Sequence, residues 1–214
     1  MPTPLTLARA RRGVALLAVI ALPLVTAVCA SKPPERPVVA GPAPDSFHVT
    51  FTTSRGPFVV QVNRAWAPLG ADRFFALVQA GFFDEDRFFR VVPGFVAQFG
   101  LNDKPAVNAV WDKRITDDTV RQSNTRGTLV FAHEGPHTRT HQLFINLVDN
   151  TRLDPMDFAP IGRVVGGMNV VDSIYSGYSD KPDQQFIQTL GNSYLARMFP
   201  KLDYIKTAKI NGGT

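Results

Sequence analysis

Cysteine is almost absent: the 214-residue chain has one, Cys29. A disulfide framework is therefore excluded, and a product beginning after residue 30 has no thiol nucleophile either. Stability must come from a packed core, which a chain of this length with 44% apolar residues can build as one domain. A clustered basic surface is also missing. The formal charge of +5 owes three units to Arg9, Arg11 and Arg12, and without them 20 basic residues face 18 acidic ones, a formal +2. That balance gives no reason to expect nucleic acid as a partner. The sequence has no G-x-S-x-G nucleophile elbow, no phosphate-cradling glycine loop and no repeat of fixed period. Its longest apolar run, Val14 to Val28, is interrupted by Pro23 and is short for a membrane span.

That run instead has the three-part form of an export signal: an arginine-containing start, an apolar centre and small residues at the end of segment 1–30. Val28-Cys29-Ala30 suits cleavage after Ala30. Cys29 also stands where a lipoprotein signal places its acylated cysteine, although Thr26-Ala27-Val28 matches a lipobox poorly. Simple secretion and a lipid tether at Cys29 both remain open. Arg11-Arg12 adds a twin-arginine route whose flanking residues fit loosely. The expected location is the periplasm or cell envelope. Segment 31–44 carries five prolines and reads as an extended spacer, with the folded domain, 45–214, starting near Asp45.

The domain is organised around Phe88 to Gly100, FFRVVPGFVAQFG, an alternating run that turns at Pro93-Gly94 and returns as a second strand. Phe95 and Gln98 have odd spacing and would face opposite sides of a regular strand. A bulge or a strand end must re-aim one of them if both share a pocket with Arg90. Before this hairpin, Phe47–Thr53 and Phe58–Val62 alternate around Ser54-Arg55-Gly56-Pro57, giving a first hairpin. Pro68 opens a helix with Leu69, Phe74, Leu77 and Val78 on one face, ending at Gly81.

Leu101 to Asn124 reads as a long polar loop anchored by Trp111 and Ile115. Thr128–His133, Gln142–Leu147 and Ile161–Val165 read as strands, and Gly167–Ser176 as a second helix. Ile187–Phe199 is a third helix despite an internal Gly191, and Leu202–Ile210 is a closing strand. These elements make a mainly β protein of six to eight mostly antiparallel strands with two or three helices, a closed barrel or a sandwich.

His133-Glu134-Gly135-Pro136-His137, with His141 four residues on, matches H-E-x-x-H. That zinc motif works only on a helix, where both histidines share one face, and Gly135-Pro136 removes the helix. The three histidines therefore read as exposed loop residues and no metal site is expected.

In chain order, FFRVVPGFVAQFG, RGTLVFAHEGPHTRTHQLFIN, RLD and IGRVVGGMNVVDSI resemble the cyclophilin-type peptidyl-prolyl cis-trans isomerases over about Phe47 to Ser176. The ending GNSYLARMFPKLDYIKTAKI resembles an extension of some exported bacterial members. The resemblance implies a closed eight-stranded antiparallel β-barrel capped by two helices, with an extra helical segment from about residue 185. It implies isomerisation of X-Pro bonds in proline-containing envelope or secreted polypeptides by a monomer without cofactor or metal. Arg90 then falls on the catalytic arginine. Phe95, Val96, Gln98, Gln142, Phe144 and Leu153 fall on pocket positions, and Ala132 and His133 on the edge that holds the substrate backbone.

The chain departs from the family pattern in places. His133-Glu134 stands where Asn-Ala is common, Leu143 replaces phenylalanine, and paired glycines become Phe99-Gly100. Arg152 replaces a tryptophan at the mouth, which implies weak binding of cyclosporin-like inhibitors. Phe158 replaces the pocket histidine, with Asp157 as the alternative at an offset of one residue. These departures leave a non-catalytic proline-peptide-binding module as the alternative to an enzyme.

Overall fold

A computed structural model describes residues 41–213. The export-signal segment, Cys29 and most of the proline-rich stretch therefore lie outside the described residues. Eight strands form one sheet: β1 (Ser46–Thr53), β2 (Gly56–Asn63), β3 (Arg90–Val92), β4 (Val96–Phe99), β5 (Thr128–Phe131), β6 (Leu143–Asn146), β7 (Pro160–Gly166) and β8 (Ile205–Gly213). Their order is β3-β4-β6-β5-β7-β2-β1-β8, and every pair is antiparallel.

The expected closed barrel is corrected to an open, strongly curled half-barrel. No ladder joins β3 to β8. The two edges meet through one bridge, Arg87 with Tyr204, flanked by Phe88 N–H donating to Asp203 O at 3.0 Å and Ile205 N–H donating to Asp86 O at 2.7 Å. Only Ile205, the first residue of β8, belongs to a strand; Asp86, Phe88 and Asp203 do not, so the contact pins the edges without extending a ladder. Beside it, Val91 N–H donates to Ser179 O at 3.2 Å, which covers part of the exposed β3 edge with a later segment.

Alternation builds the interior. Phe47, Val49 and Phe51 of β1 and Phe58, Val60 and Val62 of β2 all point inward and are buried. Phe51 lies opposite Phe58 in the register, and their rings stack 4.8 Å apart. α1 (Pro68–Gln79) lays Ala71, Phe74, Leu77 and Val78 on this core. Leu69, expected on the same face, is instead 45% exposed, because the first turn is turned toward the loop that caps it. Ala67 cannot cap a helix with its side chain. Asp118 does so from the distant loop, accepting from Leu69 N–H at 3.0 Å and Gly70 N–H at 2.8 Å.

The long segment after β4 contains a short helix, α2 (Pro105–Trp111), which buries Trp111. Ile115 is half-buried and pairs with Arg139. α3 (Met168–Asp172) is shorter than the spacing of apolar residues suggested. The expected third helix is two, α4 (Gln184–Leu190) and α5 (Asn192–Met198), broken at Gly191. Gly191 has φ 59° and ψ −149°, and a Cβ there would lie 1.8 Å from Asp103 O. Only glycine fits that corner. Packing of the described chain begins at Ala43, which is buried and donates its N–H to Asp72 Oδ1 at 2.8 Å.

Candidate active site

β4, β5 and β6 are buried at every position, unlike the alternating β1 and β2. Their inward residues, such as Phe99, Leu143 and Ile145, join the main core. Their outward residues Val96, Val130 and Phe144 form a second apolar cluster with Leu153 of the 3₁₀ turn Thr151–Met156, and Phe95, Ala132 and Phe158 pack against it. This outer cluster is the floor of a cavity of about 870 Å³.

The strand register brings the polar residues to the same face. Arg90 lies directly opposite Gln98, and Gln98 opposite Phe144. Arg90 Nη1–H donates to Gln98 Oε1 at 3.2 Å, and Gln98 Nε2–H donates to Gln142 Oε1 at 2.9 Å. Phe95 reaches this face because it precedes β4, in the turn, and so escapes the strand's alternation. Its ring lies under the Arg90 guanidinium carbon at 5.5 Å and under that of Arg152 at 4.7 Å.

Arg90, Phe95, Val96, Gln98, Ala132, His133, Gln142, Phe144, Leu153 and Phe158 all line this cavity. Phe158, not Asp157, occupies the position where the sequence left two choices. Asp157 is exposed in the left-handed region at φ 63° and ends the 3₁₀ turn Thr151–Met156. Phe158 stacks on His133 with ring centres 3.9 Å apart and meets Phe144 edge-on at 5.7 Å. Burial lowers the pKa of His133 below the ordinary histidine value, favouring a neutral ring.

The H-E-x-x-H stretch is a loop, and its histidines part company. His137 is exposed and accepts from Asp117 N–H at 3.1 Å through Nδ1, whereas His133 is half-buried in the cavity. His141 corrects the expectation of an exposed loop residue. It is only 3% exposed, with Nδ1 bonded to Gly100 O at 2.7 Å. This contact also accounts for Gly100, since a Cβ there would lie 2.5 Å from His141 O. Among the described residues, no group of three or more His, Cys, Asp or Glu is placed to hold a metal ion.

Two supporting networks escaped sequence reading. In the first, Asn146 is fully buried: its Nδ2 donates to Thr128 Oγ1 at 2.8 Å and Asn124 Oδ1 at 3.1 Å, and its Oδ1 accepts from Asn150 Nδ2 at 2.7 Å. Asn150 Nδ2 also donates to Phe95 O at 3.0 Å, and Asn124 Nδ2 donates to Phe158 O and Asp154 Oδ1, both at 2.8 Å. Three asparagines thus fix the backbone of two cavity aromatics. Asparagine at the end of an apolar strand is the available signal, because strands disfavour it.

In the second network, Arg139 is 1% exposed between Asp117 Oδ1 and Asp118 Oδ2, each at 3.0 Å. It ties the loop that caps α1 to the chain leading into Gln142. The cavity also has lining residues that the sequence reading did not name, among them Asp112, Arg114, Thr138, Thr140 and residues 182–185 and 188. Asp183 is the helix N-cap that marks this last stretch.

The fold and site are thus an antiparallel half-barrel that carries an arginine–glutamine pair beside an apolar notch. The cyclophilin-type peptidyl-prolyl cis-trans isomerase/CLD family profile matches residues 48–191. Peptidyl-prolyl cis-trans isomerase A of Dickeya dadantii is 35% identical over 140 residues, 62% of this chain and 73% of that protein. Peptidyl-prolyl cis-trans isomerase B of Escherichia coli is 34% identical over 136 residues, 59% of this chain and 82% of that protein. A crystal structure of a cyclophilin-type isomerase of Cryptosporidium parvum shares the fold, with TM-score 0.61, 20% identity, and coverage of 79% of this chain and 99% of that one. The chain belongs to the cyclophilin-type peptidyl-prolyl isomerase family, and its activity is peptidyl-prolyl cis-trans isomerisation.

Proposed function

We propose that Arg90 carries this isomerisation by stabilising the twisted amide, and that the clients are exported polypeptides. Rotation about X-Pro must break amide conjugation, against a barrier of about 18–20 kcal/mol. As the amide twists, the proline nitrogen regains a lone pair. A guanidinium aimed at that nitrogen binds the twisted state more strongly than either planar state, which lowers the barrier. Arginine suits the task because it stays charged and its planar fork holds direction.

The observation that carries this reading is the position of Arg90, at the border of the apolar floor and oriented by Gln98, which is itself held by Gln142. Phe95, Phe144, Leu153 and Phe158 then grip the prolyl ring while Gln98 and the backbone at Ala132-His133 orient the rotating carbonyl. The chemistry requires neither metal nor cofactor.

Export rests on the form of segment 1–30, with release after Ala30 or a lipid tether at Cys29 placing a monomeric domain in the periplasm or envelope. Among the described residues, no helix is long and apolar enough to cross a membrane.

Arg90→Ala is the test. Turnover is expected to fall by about 10²–10³-fold, the effect of losing one transition-state donor, while the Kd for an Ala-Pro peptide changes little. Turnover unchanged in the variant would remove the mechanism. For the export reading, mass spectrometry of membrane-associated protein should find diacylglycerol on Cys29 or a chain starting at Ser31; an intact segment 1–30 would contradict it.

A further inference from the structure

The cavity is larger than a prolyl ring needs. At about 870 Å³ it lies near the top of the range for ligand pockets, about 300–1,000 Å³, and so can accept residues flanking the proline. Its lining divides by chemistry. One part is the apolar cluster under Phe95 and Phe158. The other is lined by Asp112, Arg114, Glu134, Thr138, Thr140, Pro182 and the start of α4.

That start of α4 is a built wall. Asp183 Oδ1 accepts from Gln185 N–H at 2.8 Å and Phe186 N–H at 3.3 Å, while Asp183 N–H donates to Tyr194 Oη on α5 at 3.2 Å. Gln184, Gln185 and Gln188 line the cavity, and Ile187 turns the other way into a buried cluster with Phe89, Leu101, Leu195 and Leu202. The far end is clamped at Gly191, with Asn192 N–H donating to Asp103 Oδ1 at 3.1 Å and Asn192 Nδ2 donating to Glu85 O at 2.9 Å. The wall therefore has a fixed place beside the groove.

Its charge is one-sided. The cavity as a whole sets Asp112, Glu134 and Asp183 against Arg90 and Arg114; Arg90 is bonded to Gln98 beside the apolar floor, which leaves three carboxylates and the one guanidinium of Arg114 in the polar part. All four side chains belong to exposed residues, so they meet a client's side chains in water rather than in a sealed pocket.

Resting on the isomerase reading above, we propose that α4, with Asp112 and Glu134, is a specificity element that favours clients carrying lysine or arginine close to the isomerised proline. A cationic side chain beside the wall gains attraction, and an anionic one meets repulsion. The glutamines supply amide groups that tolerate neutral polar residues. The wall thus selects among clients without touching the rotating bond.

The test measures kcat/KM by NMR exchange with the full-length protein on Ala-Pro peptides carrying Lys, Ala or Glu at each of two positions on either side. Exposed charge pairs each contribute about 1.4- to 5-fold, so lysine in place of glutamate at the favoured position is expected to raise kcat/KM by about tenfold at low salt, and by less as salt screens the wall. In the triple variant Asp112→Asn, Glu134→Gln, Asp183→Asn, which retains a good N-cap at 183, the lysine-to-glutamate ratio is expected to fall to about twofold or less. A common rate for every peptide, or an undiminished ratio in the triple variant, overturns the inference and leaves the isomerase reading standing. Acceleration of no peptide overturns the isomerase reading with it.

Discussion

Asn146→Ala removes the centre of the network beneath the apolar notch. Asn146 is fully buried and makes three side-chain hydrogen bonds, to Thr128, Asn124 and Asn150. Each such bond contributes about 0.5–1.5 kcal/mol net, and a buried partner left unpaired costs about 1–3 kcal/mol. Thr128 Oγ1 loses a donor but keeps the bond it donates to Thr125 O at 2.8 Å, whereas the Asn124 and Asn150 amides lose a partner with no solvent to replace it. A destabilisation of about 3–5 kcal/mol follows, which for a domain of this size is a fall in Tm of about 6–20 °C.

Function should change as well. Asn150 holds Phe95 O, and Asn124 holds Phe158 O, so loosening the network frees two rings of the notch. KM for Ala-Pro peptides is expected to rise more than kcat falls, because Arg90 and Gln98 lie on a different hydrogen-bonded chain. Thermal unfolding followed by circular dichroism, with exchange kinetics below the transition, measures both. A Tm within about 2 °C of wild type would refute the accounting of buried hydrogen bonds.

Arg139→Met leaves Asp117 and Asp118 without their shared cation and should cost about 3–5 kcal/mol in urea unfolding, with loss of amide protection at the start of α1. Gly191→Ala forces a methyl group against Asp103 O, and hydrogen exchange should quicken in α4 and α5 while the strands stay protected.

Two buried groups give stability an opposite pH dependence. Burial lowers the His141 pKa, so below its unfolded value of about 6.5 the unfolded chain takes up a proton the folded one resists. Stability present above that pH is lost as pH falls. Burial also pushes the Asp86 carboxyl up to about 8, against backbone N–H donors at Gly100 and Leu101. That contribution is fully present below about 3.8 and is lost as pH rises through about 8. Asp86→Asn should flatten the decline toward pH 8 in urea titrations and leave the acid limb unchanged.

The strands were legible in the sequence because a two-residue alternation records which side of each strand is covered. Phe47 to Val62 shows this, whereas in Phe88 to Gly100 strand β4 is covered on both sides. The open edge between β3 and β8 was not legible, since pairing of distant strands depends on how far the sheet curls, and the gap is spanned by the bridge at Arg87 and Tyr204 with its flanking hydrogen bonds and by no ladder among the described residues. The floor of the site could be assembled from motifs, yet local pattern did not reveal why Phe95 and Gln98 share a face. The answer is the turn that ends before Val96.

His141 read as a loop residue because its neighbours are polar, while its buried place is set by distant contacts, the bond to Gly100 O, 41 positions away in sequence, and the Phe82 ring 5.2 Å away. The α4 wall was misread as part of one longer helix. Its true limits are set by the Asp183 cap and by the Gly191 corner, where contact with Asp103 decides the break.

The central claim, that a fixed guanidinium at residue 90 speeds rotation about X-Pro, is tested most directly by NMR exchange spectroscopy on an Ala-Pro peptide with wild-type protein and with Arg90→Lys. Wild type should accelerate cis/trans exchange, and the lysine variant, which keeps the charge but loses the planar fork, should retain peptide binding with turnover reduced by about tenfold or more. Equal exchange rates for the two proteins would contradict the account.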